Sequence, residues 1–111
     1  MESVVKYQNE LIDKLAPKWI NVMDEEEKVL ILKQLSTTIP YMLGVFCGKN
    51  HISSEDVSVK ELRGHKFWKS FEHVKLSALS EKGFRIHMKD GYNSKRSKLP
   101  IPYANPQGEN L

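Results

Sequence analysis

Apolar positions recur at helical spacing through most of the chain. From Ser3 to Ala16, Val4, Leu11 and Leu15 share one stripe, Tyr7 and Ile12 lie at its margins, and Glu2, Lys6, Glu10, Asp13 and Lys14 fall largely elsewhere. This pattern predicts an amphipathic helix. Proline costs about 3 kcal/mol inside a helix, so Pro17 predicts a break or kink. A short turn then carries Trp19, Ile20, Val22 and Met23 into the core.

Asp24 has the position of an N-cap, its carboxylate able to accept from the free N–H groups of the next turn, with Glu27 three residues on as in a capping box. The run Glu25-Glu26-Glu27 suits the positive end of a helix dipole. Val29, Leu30, Ile31, Leu32 and Leu35 are apolar over so wide an arc that this helix is expected to be central and buried on more than one side. Ser36-Thr37-Thr38 interrupts the pattern, and Pro40 suits the first turn of a further helix. Tyr41, Met42, Leu43, Val45 and Phe46 supply that helix, with Gly48 as its C-cap; a buried strand fits the same run.

Ser53 with Asp56, and Ser58 with Glu61, mark the start of the next helix, expected from about Ser53 to Arg63. Gly64 is expected to take a left-handed conformation and turn the chain sharply into a helix from about His65 to Glu81. At 100° per residue, Phe67, Phe71, Val74 and Ala78 share one arc, with Trp68 and Leu79 extending it, while Lys66, Lys69, Ser70, His73 and Ser77 share another. Gly83 reads as the C-cap of that helix. Phe84, Ile86 and Met88 then alternate with Arg85, His87 and Lys89, the pattern of a strand, and Asp90-Gly91 is the favoured dipeptide of a two-residue hairpin turn. The return arm, Tyr92 to Leu99, carries Lys95, Arg96 and Lys98. The expected fold is therefore mainly α: a compact helical domain over 1–99 with a helix-turn-helix and a C-terminal β-hairpin. Residues 100–111, with three prolines, form an extended or disordered tail.

Charge adds an asymmetry to this outline. Residues 1–50 hold six Lys and seven acids, net −1, whereas residues 51–111 hold eleven Lys or Arg and seven acids, net +4. Between Lys60 and Lys98 eleven basic residues face four acidic ones, a composition that favours a polyanion through phosphate pairing and counterion release. A single cysteine, Cys47, cannot close an internal disulfide and points to a reducing compartment. Met1-Glu2-Ser3 lacks the basic and apolar regions of a secretion signal, so cytoplasmic residence is expected. The apolar run from Ile39 to Cys47, broken by Pro40 and Gly44, is too short to span a bilayer. The chain shows no phosphate-binding glycine loop and no nucleophile elbow, and its Cys47, His51, His65, His73 and His87 lack zinc-ligand spacing. Neither enzymatic activity nor a metal or other cofactor is expected.

The run Leu79-Ser80-Glu81-Lys82-Gly83-Phe84-Arg85-Ile86, then Asp90-Gly91, then Ser94-Lys95-Arg96-Ser97-Lys98-Leu99, resembles the end of the recognition helix and the wing of MarR-type winged-helix regulators. The resemblance covers about the second half of the chain. It implies a small regulatory protein bound to double-stranded DNA, with Lys66, Lys69, Ser70 and His73 facing the groove and Lys95 and Arg96 as wing contacts. Arg85 and Lys98 belong to the same basic surface. In that family small polar residues are usual where this chain has Phe67-Trp68, which opens a second reading. There the protein is an interaction module or small inhibitor that holds a protein partner through Phe67, Trp68 and Tyr103, aromatic residues being frequent interface anchors.

Overall fold

The computed structural model of the chain describes residues 1–74, 76 and 79–97, with residues 95–97 described by backbone alone. The first helix, α1, spans Glu2–Leu15 and buries Val4, Gln8, Leu11 and Ile12. These positions make a stripe one step round from the expected one, so Ile12 is buried and Leu15 is exposed. The helix stops where Pro17 predicts. Ala16 is extended, as a residue before proline prefers.

A 3₁₀ turn at Ile20–Val22 follows. It delivers only Ile20 fully to the core; Met23 is half-buried, while Trp19 and Val22 face solvent, against expectation.

The second helix, α2, runs unbroken over Glu25–Lys49. Asp24 caps it, Oδ1 accepting from the Glu27 amide at 3.0 Å. The predicted division at Ser36-Thr37-Thr38 and Pro40 does not occur, for two reasons. The Ser36 and Thr37 hydroxyls both donate to the Lys33 carbonyl, at 3.1 and 3.2 Å, and so are satisfied within the helix. Beyond Leu32 and Leu35, continuity buries Ile39, Leu43 and Val45; at about 1.5–3 kcal/mol for each buried side chain, their packing outweighs a proline penalty of about 3 kcal/mol. Gly48 is a buried helical residue and not the cap. The helix ends at Asn50, whose side-chain amide donates to the Phe46 carbonyl at 2.8 Å, and His51 takes the left-handed conformation, φ 58°. Among the described residues α2 is the one helix long and apolar enough to cross a membrane, yet half of its apolar window is buried inside the fold, the position of a core helix.

The expected helix from Ser53 to Arg63 divides into a 3₁₀ turn, Ser54–Asp56, and a single α-turn, α3, Val59–Leu62, with extended Val57 near the junction. Ser53 and Ser58 accept from the amides of Glu55 and Glu61 as caps. Gly64 does not adopt the left-handed conformation. The expected helix from His65 to Glu81 is likewise one turn, α4, Lys66–Lys69, followed by turns.

The largest correction concerns residues 81–97. Among the described residues there is no strand and no hairpin; Glu81–Ser97 is a helix, α5. Ser80 begins it, Oγ accepting from the Gly83 amide at 3.0 Å, so the glycine expected to end one helix lies in the first turn of another. Phe84, Met88, Gly91 and Tyr92 turn to the core at positions 0, 4, 7 and 8 of a helical stripe, and Ile86 stays outside at 49% exposure.

Gly91 is needed for closeness rather than for a turn. A β-carbon there would lie 2.8 Å from the carbonyl carbon of Tyr41, and one on Gly44 would lie 2.7 Å from the amide nitrogen of Tyr92. The two glycines let α5 cross α2 backbone against backbone. Around this crossing the main core gathers Val4, Leu11, Ile39, Leu43, Leu62, Trp68, Phe84 and Met88. A smaller cluster of Ile20, Leu32 and Phe71 holds the Ile20–Val22 turn against the N-terminal half of α2. The described residues are mainly helical and do not form the expected C-terminal β-hairpin of a winged helix.

Candidate interaction face

Lys66, Lys69, Ser70 and His73 are exposed together on α4 and the turn after it. They do not form one face of a long helix. Lys69 pairs with Glu72, Nζ to Oε2 3.3 Å, and the Ser70 hydroxyl donates to the Lys66 carbonyl at 2.8 Å. Arg85 is turned inward. Its Nη1 donates to the Ser54 carbonyl at 2.9 Å and its Nη2 to the Val57 carbonyl at 2.8 Å, tying the Ser54–Asp56 turn to α5. Nearby, Lys89 reaches Glu55 at 3.5 Å. Lys95 and Arg96 belong to the last turn of α5, not to a wing. Lys98, Tyr103 and the 100–111 tail lie outside the described residues.

The aromatic pair proposed as interface anchors is mostly internal. Trp68 is 2% exposed, and its ring meets Phe84 edge-on at 5.9 Å. Its indole N–H donates to Gln8 Oε1 at 3.1 Å, while Gln8 Nε2 donates to the Leu62 carbonyl, also at 3.1 Å. One buried glutamine thus satisfies polar atoms of α1, α3 and α4 at once. Phe67 is half-buried, edge-on to both Trp68 and Phe71. His65 caps α4 through Nδ1, which accepts from the Phe67 amide at 2.9 Å. Burial, and next Lys66, hold its imidazole below the usual value, with Asp13 pulling the other way. Cys47 is buried in the core, and burial pushes its thiol up. Among the described residues no group of three His, Cys, Asp or Glu side chains is placed to hold a metal ion.

The largest uncovered apolar side chains lie elsewhere. Trp19 is 62% exposed, Val22 82% and Leu30 65%. Trp19 and Val22 flank Ile20, which shares the smaller core cluster with Leu32, whereas Leu30, two residues before Leu32, lies on the opposite side of α2. Leu30 and half-buried Val29 line a shallow groove there with Glu25, Glu26 and Lys33. Glu25 and Glu26 put two exposed carboxylates in it. The sequence carried one sign of this face: the apolar arc from Val29 to Leu35 is wider than a single packed side requires. Trp19 and Val22 gave none, since burial was the natural expectation for both. The chain matches no family model, no curated protein and no solved structure.

Proposed function

We propose that this protein acts by binding another protein through the exposed apolar side chains of the Trp19 to Leu30 segment. The exposure of Trp19, Val22 and Leu30 carries this reading. Each such side chain left in water forgoes about 1.5–3 kcal/mol of burial, and large exposed apolar side chains beside charged ones are a common mark of an interaction surface. Tryptophan is also among the residues that most often dominate binding energy. The bordering carboxylates favour a partner segment that is apolar with basic flanks, and they repel nucleic acid.

Nucleic-acid binding is the competing reading, supported by the joint exposure of Lys66, Lys69, Ser70 and His73. Two variants separate the readings. The Trp19→Ala/Val22→Ser/Leu30→Ala protein is expected to keep its fold and to lose its protein partner, while titrations of the wild type against duplex DNA, single-stranded DNA and RNA at two salt concentrations stay flat. Steeply salt-dependent nucleic-acid binding that disappears in Lys66→Ala/Lys69→Ala, with the triple variant unaffected, would reverse the assignment.

A further inference from the structure

Two helix faces on this chain repeat one spacing with opposite charge balance. On α2, Glu25, Glu26, Val29, Leu30 and Lys33 line one groove. On α5, Glu81, Lys82, Arg85, Ile86 and Lys89 line a second, together with Val59 of α3. Each face takes positions 0, 1, 4, 5 and 8 of its helix, so each is about two turns long with an aliphatic residue near its centre. Leu30 and Ile86, at those centres, are 65% and 49% exposed. The α2 face holds two carboxylates and one cation, and the α5 face holds one carboxylate and three cations. Among the described residues Glu26, Lys33 and Lys82 make no ion pair within the fold. Lys89 reaches Glu55 at 3.5 Å, but both side chains are more than half exposed, so that pair contributes at most about 1 kcal/mol and is readily exchanged.

We propose that the α2 face of one molecule docks antiparallel on the α5 face of a second copy of this chain. Laid antiparallel, Val29 and Leu30 meet Ile86 and the stem of Arg85, while Glu25 and Glu26 meet Lys89. At the other end Lys33 meets Glu81 and Lys82, whose charges offset each other. Laid parallel, the same faces put Glu25 on Glu81 and Lys33 on Lys89, two like-charge contacts against the one favourable pair of Glu26 with Lys82. Charge complementarity thus selects both the occupant and its direction. Because the two patches differ, the contact closes reciprocally as a twofold pair or runs head to tail. A two-turn contact is small beside the about 1,200 Å² of a stable interface, so association is expected at about 0.1–1 mM. The proposal rests on the protein-binding reading above only through Leu30; Trp19 and Val22 take no part in it.

Translational diffusion and amide chemical shifts of the full chain, followed by NMR from about 0.02 to 2 mM, test it. Diffusion is expected to slow with concentration, with shifts at both Leu30 and Ile86 and none at Trp19. Glu26→Lys and Lys89→Glu are each expected to weaken association about fivefold or more, since each sets like charges against one another at the same end of the contact. Mixing the two variants restores an opposite pair in both directions and is expected to recover association. Ile86→Ser, at an exposed position, is expected to remove it. Trp19→Ala/Val22→Ser, which removes side chains the protein-binding reading requires, is expected to leave it unchanged, so the two assignments can fail separately. Should Lys89→Glu, beside Glu55, fail to fold, Ile86→Ser and the wild-type shift map still decide. Concentration-independent diffusion up to about 2 mM, shifts confined to one of the two faces, loss of association in Trp19→Ala/Val22→Ser, or charge reversals that do not recover in the mixture would each overturn the proposal.

Discussion

Adding one methyl group at Gly91 or Gly44 separates this fold from its alternatives. In ordinary helix, Gly→Ala gains about 1 kcal/mol from propensity. At Gly91, however, the new β-carbon would meet the Tyr41 backbone at 2.8 Å from its carbonyl carbon and 3.2 Å from its Cα. At Gly44 it would meet Tyr92 N at 2.7 Å and Met88 C at 2.9 Å. These neighbours are backbone and cannot rotate away, so the helices must part along the seam that buries Leu43, Phe84 and Met88. Overpacking of this sort costs about 1–3 kcal/mol, and more when whole elements must move. The upper end of that range, about 3 kcal/mol, less the propensity gain leaves an expected destabilisation of about 2 kcal/mol for each substitution, which for a domain near 100 residues lowers Tm by about 8–16 °C. Gly83→Ala is the control, because Gly83 is half-exposed in the first turn of the same helix; it is expected to stabilise by up to about 1 kcal/mol. Thermal and urea unfolding followed by circular dichroism reads all three. A hairpin turn at Asp90-Gly91 would make Gly91→Ala harmful and leave Gly44→Ala harmless. If Gly44→Ala and Gly91→Ala both behave like Gly83→Ala, the close crossing does not exist.

Three further outcomes are expected. Gln8→Ala strands the Trp68 indole N–H and the Leu62 carbonyl inside the core. At about 1–3 kcal/mol per stranded group, denaturant unfolding should show a loss of about 2–5 kcal/mol. Arg85→Met removes two hydrogen bonds from a charged donor to the Ser54 and Val57 carbonyls. It should cost about 2–3 kcal/mol, and amide exchange should quicken in the Ser54–Asp56 turn before it does so in α2. His65 has a folded value below its ordinary one, so the unfolded chain binds the proton first. Its cap is fully stabilising above about pH 6.5 and is lost as pH falls through the lower folded value; His65→Asn, which keeps a capping oxygen that does not titrate, should flatten that part of the stability profile.

What could be read from the sequence was local. The Asp24 and Ser58 caps and the break before Pro17 depend on residues within a turn of one another, and all three are present. The error over residues 84–89 came from a short window. Phe84 and Met88, four apart, fit a strand face and a helix face equally, and only Ile86 distinguishes the two, through an exposure that the sequence does not state. Gly91 reads as a turn residue beside Asp90 because its actual partner, Tyr41, is distant in the chain. Pro40 misled for a similar reason, since the packing that overrides its penalty comes from other elements. The candidate site shows the same division. Exposure of Lys66, Lys69, Ser70 and His73 followed from their polarity, whereas the inward turn of Arg85 and the burial of Trp68 depend on partners 28 to 60 residues away. The exposure of Trp19 and Val22 ran against their chemistry altogether.

A photo-crosslinking residue placed at Val22, compared with one at exposed Lys60 on α3, tests the central claim most directly. In the protein's own cell, the Val22 probe is expected to give a discrete protein adduct that the Lys60 probe does not, and that Trp19→Ala/Leu30→Ala removes without lowering Tm. Equal adducts from both positions, or nucleic acid as the sole adduct, would contradict protein binding by the Trp19 to Leu30 segment.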